Sequence, residues 1–293
     1  MKNSQWPVQD KKLRGKAFHP ELLFFVGWII VLGLGKIAIS ENVQDDELVN
    51  RFEKRIYEDI DGNRLPYRLL KPENADMNGQ YPLVLLLHGI GERGDDNEAQ
   101  LKWGAKEFAK EENRKKYPCF LAVPQCPLSD FWAAALRDLS KDFRMPEEPT
   151  QALKMVLELV DVLQVEFPQI DPRRLYITGL SMGGFGTWEA IQRKPDLFAA
   201  AVPICGGGDV SEADRLTKLP IWAFHGAEDL LVNPRWSRDM VEAIRKAGGS
   251  PKYTEYSDVG HHSWVLAYSD PQLFEWLFSQ KKKNDSYDGS EDK

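Results

Sequence analysis

The sequence Gly179-Leu180-Ser181-Met182-Gly183-Gly184 joins a short apolar run at residues 175–178 to a helix-like segment. Glycine is the residue that fits the close contacts of such a connection, so the glycines around Ser181 predict a strand, a sharp turn and a helix in direct succession. In a turn of this kind the serine hydroxyl projects over the end of the sheet. The spacing alone is a weak signal, because it occurs by chance in roughly one chain in ten of this length. Its meaning depends on the residues that follow.

Strand-like and helix-like runs alternate along the chain, which predicts an α/β fold with a mostly parallel sheet and helices on both faces. An antiparallel pair is expected first, around the turn at residues 61–63. Six further strands are predicted, at residues 83–87, 120–123, 175–178, 199–204, 221–224 and 252–256. Apolar residues at helical spacing predict one covering helix over residues 153–167 and another around residues 240–244, which ends at Gly248.

The chain has five histidines, and a serine turn of this type takes its acid and then its base from later in the chain. His19 lies in the N-terminal segment, His88 ends a predicted strand, and His225 precedes the best acid candidate. The remaining pair, His261 and His262, lies in a turn after the last predicted strand. One of these two is therefore the candidate base.

Asp229 is the candidate acid because it directly follows residues 220–226, a run typical of a buried strand that ends in a turn. A carboxylate there could fix the imidazole tautomer and stabilise the imidazolium that forms during proton transfer. Its neighbour Glu228 is the nearest alternative. Three other aspartates before the histidine pair are more typical of helix caps, helix surfaces or turns: Asp209, Asp214 and Asp258.

The negative oxygen of an acyl-transfer intermediate needs backbone N–H donors, usually from the residue after the nucleophile and from the loop after the third strand. Met182 and Ile90 are the predicted donors, and Ile90 lies in the sequence His88-Gly89-Ile90-Gly91. The alternative is that these glycines only form a tight turn. The charged stretch at residues 92–97 could brace this loop through hydrogen bonds, or it could be a solvated loop.

Two tryptophans are candidates for substrate binding. Trp264 lies three residues after His261, and Trp132 follows the sequence Pro124-Gln125-Cys126-Pro127. Either indole could line an acyl or aromatic pocket, but buried tryptophans are more often part of a core. Residues 129–148 form the insertion that is richest in turns and aromatics, and it is short for a lid.

Five motifs together resemble those of α/β-hydrolases in the secreted esterase and polyhydroxybutyrate-depolymerase-like group, which is related to feruloyl and acetyl xylan esterases. They occupy residues 88–97, 124–127, 179–184, 225–229 and 260–264, and the resemblance spans roughly residues 50–280. It implies the α/β-hydrolase fold with an eight-stranded sheet. It also implies ester hydrolysis through a triad of Ser181, Asp229 and His261 and an acyl-enzyme, with no cofactor and no metal.

The chain departs from this family pattern at two places. The family's base directly follows a glycine, which selects His261, but the doubled histidine leaves the role of His262 open. Asn233 stands before Pro234 where relatives often carry valine. Asn233 is expected to cap a helix that starts with Pro234.

The N-terminal segment is typical of an export signal, because basic residues precede the apolar run at residues 22–35 and small residues follow it. A membrane anchor within residues 22–39 is the main alternative, and a buried helix is a third. The predicted organisation is an export signal or anchor at 1–40, a catalytic domain at 41–280 and a charged disordered tail at 281–293. The expected location is periplasmic or extracellular, or membrane-anchored with an exported catalytic domain.

Charge limits the partners. The net charge is −7, and cleavage after Ser40 would remove six basic and two acidic residues and leave −11. This excess of acid argues against nucleic acid or an anionic membrane as the main partner. The expected partner is a small-molecule or polysaccharide-linked ester. The three cysteines, Cys119, Cys126 and Cys205, are expected as buried thiols, since their spacing fits neither a disulfide framework nor a zinc site.

Two other functions remain open from the sequence. One is a serine peptidase that resembles the catalytic domain of prolyl oligopeptidases, although the chain is not expected to hold the gating domain that such relatives usually carry. The other is a catalytically silent hydrolase fold that acts as a binding protein. Acyl transfer to a sugar or lipid instead of water is also compatible with these motifs.

Overall fold

The computed structural model describes residues 45–73, 75–137 and 143–283. The predicted export signal and residues 284–293 of the predicted tail lie outside the described residues. The described residues from 47 onward form one compact unit, and residues 45 and 46 are the only described ones before it. Within the described ranges, no helix combines the length and the hydrophobicity needed to cross a membrane.

Eight strands form one sheet in the order β1-β2-β4-β3-β5-β6-β7-β8. β2 runs antiparallel to both of its neighbours, and every other neighbouring pair is parallel. The predicted α/β fold with a mostly parallel eight-stranded sheet is confirmed. The strands are β1 (Glu53–Glu58), β2 (Arg64–Leu70), β3 (Tyr81–Leu87), β4 (Phe120–Pro124), β5 (Ile170–Leu180), β6 (Ala200–Ile204), β7 (Trp222–Gly226) and β8 (Lys252–Tyr256).

Helices cover the sheet on both sides, as parallel strands require. Short 3₁₀ helices at Ile90–Glu92, Ala99–Leu101, Ala134–Arg137 and Val210–Leu216 interrupt the connecting loops. The α-helices are α1 (residues 45–50), α2 (Ala105–Ala109), α3 (Glu111–Lys116), α4 (Gln151–Glu166), α5 (Met182–Arg193), α6 (Arg235–Lys246), α7 (Ser263–Ser269) and α8 (Pro271–Ser279).

The core lies in two layers, one on each face of the sheet. β3 shows this directly, because Leu83, Leu85 and Leu87 belong to one buried cluster while Val84 and Leu86 belong to the other. Successive side chains of a strand point to opposite faces, so a strand covered on both sides has a continuous apolar sequence. That continuity is why β3 could be predicted from residues 83–87.

Helix caps account for the positions of two crossover helices. The Thr150 hydroxyl accepts the N–H of Leu153 and starts α4, two residues before the predicted apolar pattern. The second helix, α6, begins at Arg235, one residue later than predicted. Asn233 still acts as a cap, because its Oδ1 accepts the N–H of Arg235 at 3.0 Å.

The start of the predicted tail is in contact with the domain. Lys281 pairs with Asp171 at 3.1 Å, and the backbone N–H of Lys282 donates to the carbonyl of Arg173 at 3.0 Å. These contacts with the domain therefore lie just beyond the predicted boundary at residue 280. All three cysteines are buried and free, as predicted.

Candidate active site

Ser181 lies in the predicted turn between β5 and α5, with φ 53° and ψ −117°. Its backbone N–H donates to Ile204 O at 3.0 Å and approaches Cys205 Sγ at 3.3 Å. A non-glycine residue in this conformation costs on the order of 1–3 kcal/mol, and the surrounding packing must hold it. A Cβ on Gly183 would lie 1.9 Å from Leu87 O, so glycine is required for the helix to approach β3 this closely.

The imidazole of His261 bridges Ser181 and Asp229. Its Nε2 lies 2.9 Å from Ser181 Oγ, and its Nδ1 lies 2.7 Å from Asp229 Oδ2. His262 is exposed, and its ring packs against Trp264 at a centroid distance of 4.8 Å. Of the two candidate histidines, the structure brings His261 to the serine, in agreement with the position after glycine.

Asp229 is buried, and both of its carboxylate oxygens accept hydrogen bonds. Oδ1 accepts the N–H groups of Leu231 and Val232, each at 2.9 Å, while Oδ2 faces His261. The carboxylate is thus oriented by its own loop before it meets the imidazole. Glu228, the nearest alternative in the sequence, is exposed.

The other acidic candidates have the roles expected of them. Asp209 caps the 3₁₀ helix Val210–Leu216, and its side chain accepts the N–H of Ser211. Asp214 is exposed, and Asp258 is an exposed turn residue that accepts the hydroxyl of Ser257.

Topology explains why distant residues meet here. Ser181, Asp229 and His261 follow β5, β7 and β8, which belong to the parallel part of the sheet. The carboxyl ends of parallel strands share one edge, where loops from several strands converge. A serine, an imidazole and a carboxylate in this arrangement can activate the serine hydroxyl as a nucleophile.

The predicted oxyanion donors lie on both sides of this serine. Met182 is the first residue of α5, where N–H groups have no partner within the helix. Ile90 opens the 3₁₀ turn after β3 and is half-exposed. The turn approaches the serine closely, since a Cβ on Gly89 would lie 3.8 Å from Ser181 Cβ.

His88 supports this turn as a neutral side chain. Its Nδ1–H donates to Gly89 O at 2.6 Å, and its Nε2 accepts the N–H of Cys126 at 2.9 Å. Burial lowers the pKa of His88 to about 4. A proton on Nε2 would remove the acceptor that Cys126 requires, so the uncharged tautomer is the one that fits.

Residues 92–97 form a hydrogen-bonded brace, the first of the two alternatives from the sequence. The buried side chain of Gln125 donates to Glu92 O at 3.2 Å and to Asp96 Oδ1 at 2.9 Å. Its Oε1 accepts the N–H of Asn97 at 2.7 Å. One glutamine thus ties three points of the loop to the end of β4.

Glu92 is the last residue of the 3₁₀ turn Ile90–Glu92, which we call the oxyanion turn after its predicted role. Burial is the main cause that raises the pKa of this carboxyl, and the charge of Lys102 and hydrogen bonds from Trp103 and Gly89 oppose it. The Trp103 ring contacts Trp264 at a centroid distance of 6.0 Å.

The structure corrects the prediction that Trp132 offers a substrate surface. Trp132 is fully buried, and its indole N–H donates to His88 O at 3.1 Å. It therefore supports the oxyanion turn from inside. Trp264 is also buried, and its ring stands perpendicular to the ring of His261 at a centroid distance of 5.1 Å, so it packs against His261.

Sequence reasoning missed three supporting residues, Gln125, Cys205 and His225. Gln125 and Cys205 immediately follow a strand whose carboxyl end lies at the site, and His225 is the second-last residue of another. That position was the available signal, but it does not reveal which way a side chain points. The insertion is described at residues 129–137 and 143–148 only, and the segment between them lies outside the described residues.

One set of potential metal ligands occurs among the described histidine, cysteine and acidic side chains. Cys205, Asp229 and His261 have ligand atoms within 4.8 Å of one another. Asp229 Oδ2 and His261 Nδ1 are already joined by a hydrogen bond, which an ion would have to displace.

Comparison with known proteins places this architecture among hydrolases. A model of the prolyl oligopeptidase family matches residues 146–223, which include Ser181 but neither Asp229 nor His261. A solved structure described as a thermostable esterase is 40% identical in sequence and superposes with a TM-score of 0.75. That alignment covers 80% of this chain and 64% of the other.

Two curated relatives carry ester-related names. A bifunctional acetylxylan esterase/xylanase of Neocallimastix patriciarum is 33% identical over 85 residues, which cover 29% of this chain and 12% of that protein. A probable carboxylesterase of Oryza sativa subsp. japonica is 25% identical over 216 residues, which cover 68% and 88%. The chain thus spans only about an eighth of the xylan-active relative's length.

Proposed function

We propose that this chain, which belongs to the esterase group of the α/β-hydrolase superfamily, hydrolyses carboxylic esters through an acyl-enzyme on Ser181. The observation that carries the proposal is the continuous hydrogen-bonded chain from Ser181 Oγ through His261 to Asp229. In this proposal Ser181 is the nucleophile, His261 is the general base and Asp229 is the carboxylate that orients it, and the same geometry supports these roles.

In the first step, Ser181 Oγ attacks the ester carbonyl while His261 Nε2 takes the hydroxyl proton. Asp229 holds the Nδ1–H tautomer and stabilises the imidazolium. The N–H groups of Ile90 and Met182 receive the negative oxygen of the tetrahedral intermediate. His261 then returns the proton to the leaving alcohol. In the second step the same imidazole activates a water, which releases the acid and restores Ser181.

For the substrate, we propose a small-molecule or polysaccharide-linked ester. The names of the relatives support this, since they include an acetylxylan esterase and a carboxylesterase. We also propose an exported protein, on the basis of the basic leader and apolar run before residue 40.

The test is hydrolysis of p-nitrophenyl esters from acetate to octanoate, together with methyl ferulate, by the protein and by its Ser181→Ala variant. We expect serine-dependent turnover, and the chain-length preference measures the acyl pocket. A Ser181→Ala variant that keeps near wild-type activity would falsify the assignment.

A peptidase is the second candidate, because the matching family model is that of prolyl oligopeptidases. Aminoacyl and dipeptidyl anilides, added to the same panel, separate the two chemistries. Faster serine-dependent cleavage of an anilide than of every ester would favour the peptidase. Failure to cleave either class would favour the silent binding protein.

A further inference from the structure

A second imidazole contacts the same carboxylate oxygen as His261. His225 lies near the end of β7 and is fully buried. Its Nε2 is 3.3 Å from Asp229 Oδ2 and 3.0 Å from Val232 O. Its Nδ1 is 2.8 Å from Ser237 Oγ on α6. The site therefore holds an acid between two imidazoles.

The contacts of His225 define its tautomer. Nε2 faces two oxygens that can only accept, so Nε2 must carry a proton. Burial is the main cause that lowers the pKa of His225, and the charge of His261 acts in the same direction, while the bond to Val232 and the charge of Asp229 oppose it. The neutral ring then has a lone pair on Nδ1, which lies 2.8 Å from Ser237 Oγ and shares the single Ser237 hydroxyl proton with Gly206 O, 2.9 Å from the same oxygen.

Few other charges face this ring. From β8, Glu255 stands opposite His225 in the strand register. The carboxylate of Glu255 is bound by Arg238 at 2.7 and 2.8 Å and accepts the hydroxyl of Tyr253 at 2.5 Å. Asp229 is thus the charged group between the two rings, and His261 is the titratable group whose charge changes during the reaction.

We propose that His225 is a positioning residue, whose Nε2–H holds Asp229 Oδ2 in place for His261. The inference rests on the proposed function, since it gives His261 the role of base. Two backbone N–H groups fix Oδ1 and two imidazoles share Oδ2, so the carboxylate cannot turn without losing a bond. The Nε2–H of His225 also partly offsets the negative charge on Oδ2, so Asp229 stabilises the protonated form of His261 less.

Loss of this contact has two consequences. Asp229 Oδ2 would then interact with His261 alone and would stabilise its imidazolium more. The acidic limb of the pH profile would therefore move to higher pH. The carboxylate would also lose a restraint, and the rate of acylation would fall. KM should not change, because His225 is fully buried and does not contact the substrate.

Two amide substitutions of the full-length protein separate the two nitrogens. In His225→Gln the amide can place a donor near the position of Nε2, whereas in His225→Asn it reaches only the position of Nδ1. The readouts are the pH dependence of fluorophosphonate labelling at Ser181, kcat and KM for p-nitrophenyl butyrate, and the thermal midpoint. Labelling reports on the nucleophile whatever the natural substrate is.

For His225→Asn we expect labelling at pH 7 to slow about 10-fold and the acidic limb to rise by about 0.5–1 pH unit, because a hydrogen bond to a charged group contributes that much. His225→Gln should stay within about threefold of wild type, with its limb unmoved. Ser237→Ala is the matched control, since it removes the partner of Nδ1 and the hydrogen bond to Gly206 O but leaves the contact of Nε2 with Asp229. Its limb should stay in place.

Equal behaviour of the Asn and Gln variants, or an unmoved limb in His225→Asn, would overturn the inference and leave His225 a structural residue. A wild-type protein that is not labelled at Ser181 would instead overturn the proposed function, and the inference with it. Should the variants fail to fold, nitrogen NMR of the wild-type histidines gives the answer. His225 must remain the neutral Nε2–H tautomer at pH 6–9, and an Nδ1–H tautomer would contradict the proposal.

Discussion

The acid–base side of the site and the oxyanion side differ in which atoms meet the substrate. On the first side, the proposed reacting groups are the side chains of Ser181, His261 and Asp229. On the second side, the proposed donors are backbone N–H groups of Ile90 and Met182. Side chains there act indirectly, because Gln125 and His88 hold the backbone in place.

This difference has an energetic counterpart. A substitution of Ser181 or His261 removes chemistry and leaves the fold intact, since both residues lie at the end of the sheet. A substitution on the oxyanion side leaves buried backbone groups without partners, which costs stability as well as rate. Mutation can therefore test whether kcat and the free energy of unfolding change separately at Ser181 and His261 and together on the oxyanion side.

The largest expected effect is on the acid–base side. Asp229→Asn should lower kcat by about 10⁴-fold, because the amide favours the wrong imidazole tautomer. The thermal midpoint should also fall, because the buried amide turns an N–H toward the Nε2–H of His225, while KM should stay the same. The exposed neighbour gives the control, since Glu228→Gln should have wild-type kinetics. A comparable loss in Glu228→Gln would break the assignment of the acid.

Gly183→Ala changes the contact between α5, which follows Ser181, and the backbone of Leu87 and His88, which leads into the oxyanion turn. The new Cβ would lie 1.9 Å from Leu87 O and 2.8 Å from His88 O, so α5 must move away from the oxyanion turn. We expect kcat to fall about 10²-fold and the free energy of unfolding to fall by about 1–3 kcal/mol. Gly91→Ala, where the added methyl meets open space, should keep its stability in the same urea titration.

His88 makes stability on the oxyanion side depend on pH. Its pKa is about 4 in the folded protein and about 6.5 in the unfolded chain, so between these values the unfolded chain binds a proton that the native state does not. Stability should therefore fall as pH falls from 6.5 to 4, by about 3 kcal/mol from this group.

The check on His88 is urea unfolding of wild type and His88→Gln at pH 7 and pH 4.5. The variant removes the titrating group and keeps an acceptor for Cys126 N–H. Its stability should change less between the two pH values. Parallel loss in both proteins would show that His88 does not titrate as described.

Gln125→Met is the smallest change and tests the brace directly. Methionine fills a similar volume and removes the three hydrogen bonds that tie residues 92–97 to β4. We expect a loss of about 2 kcal/mol in stability and about 10-fold in kcat. Gln80→Met, at an exposed glutamine, should change neither quantity. A stable but slow Gln125 variant would contradict the link between the two properties.

The same contrast shows how much the sequence can predict. The strands, the crossover helices and the order Ser181, Asp229, His261 were all predictable, because apolar periodicity and reactive side chains are visible in the chain itself. The structure agrees with each of these elements and brings the three side chains together. The two crossover helices begin one or two residues from the predicted positions, where caps decide the first turn. The short helices α1, α2, α3, α7 and α8 were not predicted, and β5 begins five residues before the predicted strand.

The supporting residues were not predictable in the same way. Trp132 looked like a pocket residue because indoles line many pockets, but its N–H points inward to His88 O. Gln125 and His225 are polar residues at strand ends, and their roles depend on contacts with loops that are distant in sequence. Side-chain direction at the end of a strand is set by those neighbours, so no local pattern reveals it.

The most direct test of the central claim is to find the acyl group. The protein is mixed with p-nitrophenyl butyrate, quenched with acid during turnover, digested and analysed by mass spectrometry. The account predicts a butyryl group on the peptide that contains Ser181, and its loss in Ser181→Ala. Turnover with the acyl group on another residue, or with no acylated peptide at all, would contradict it.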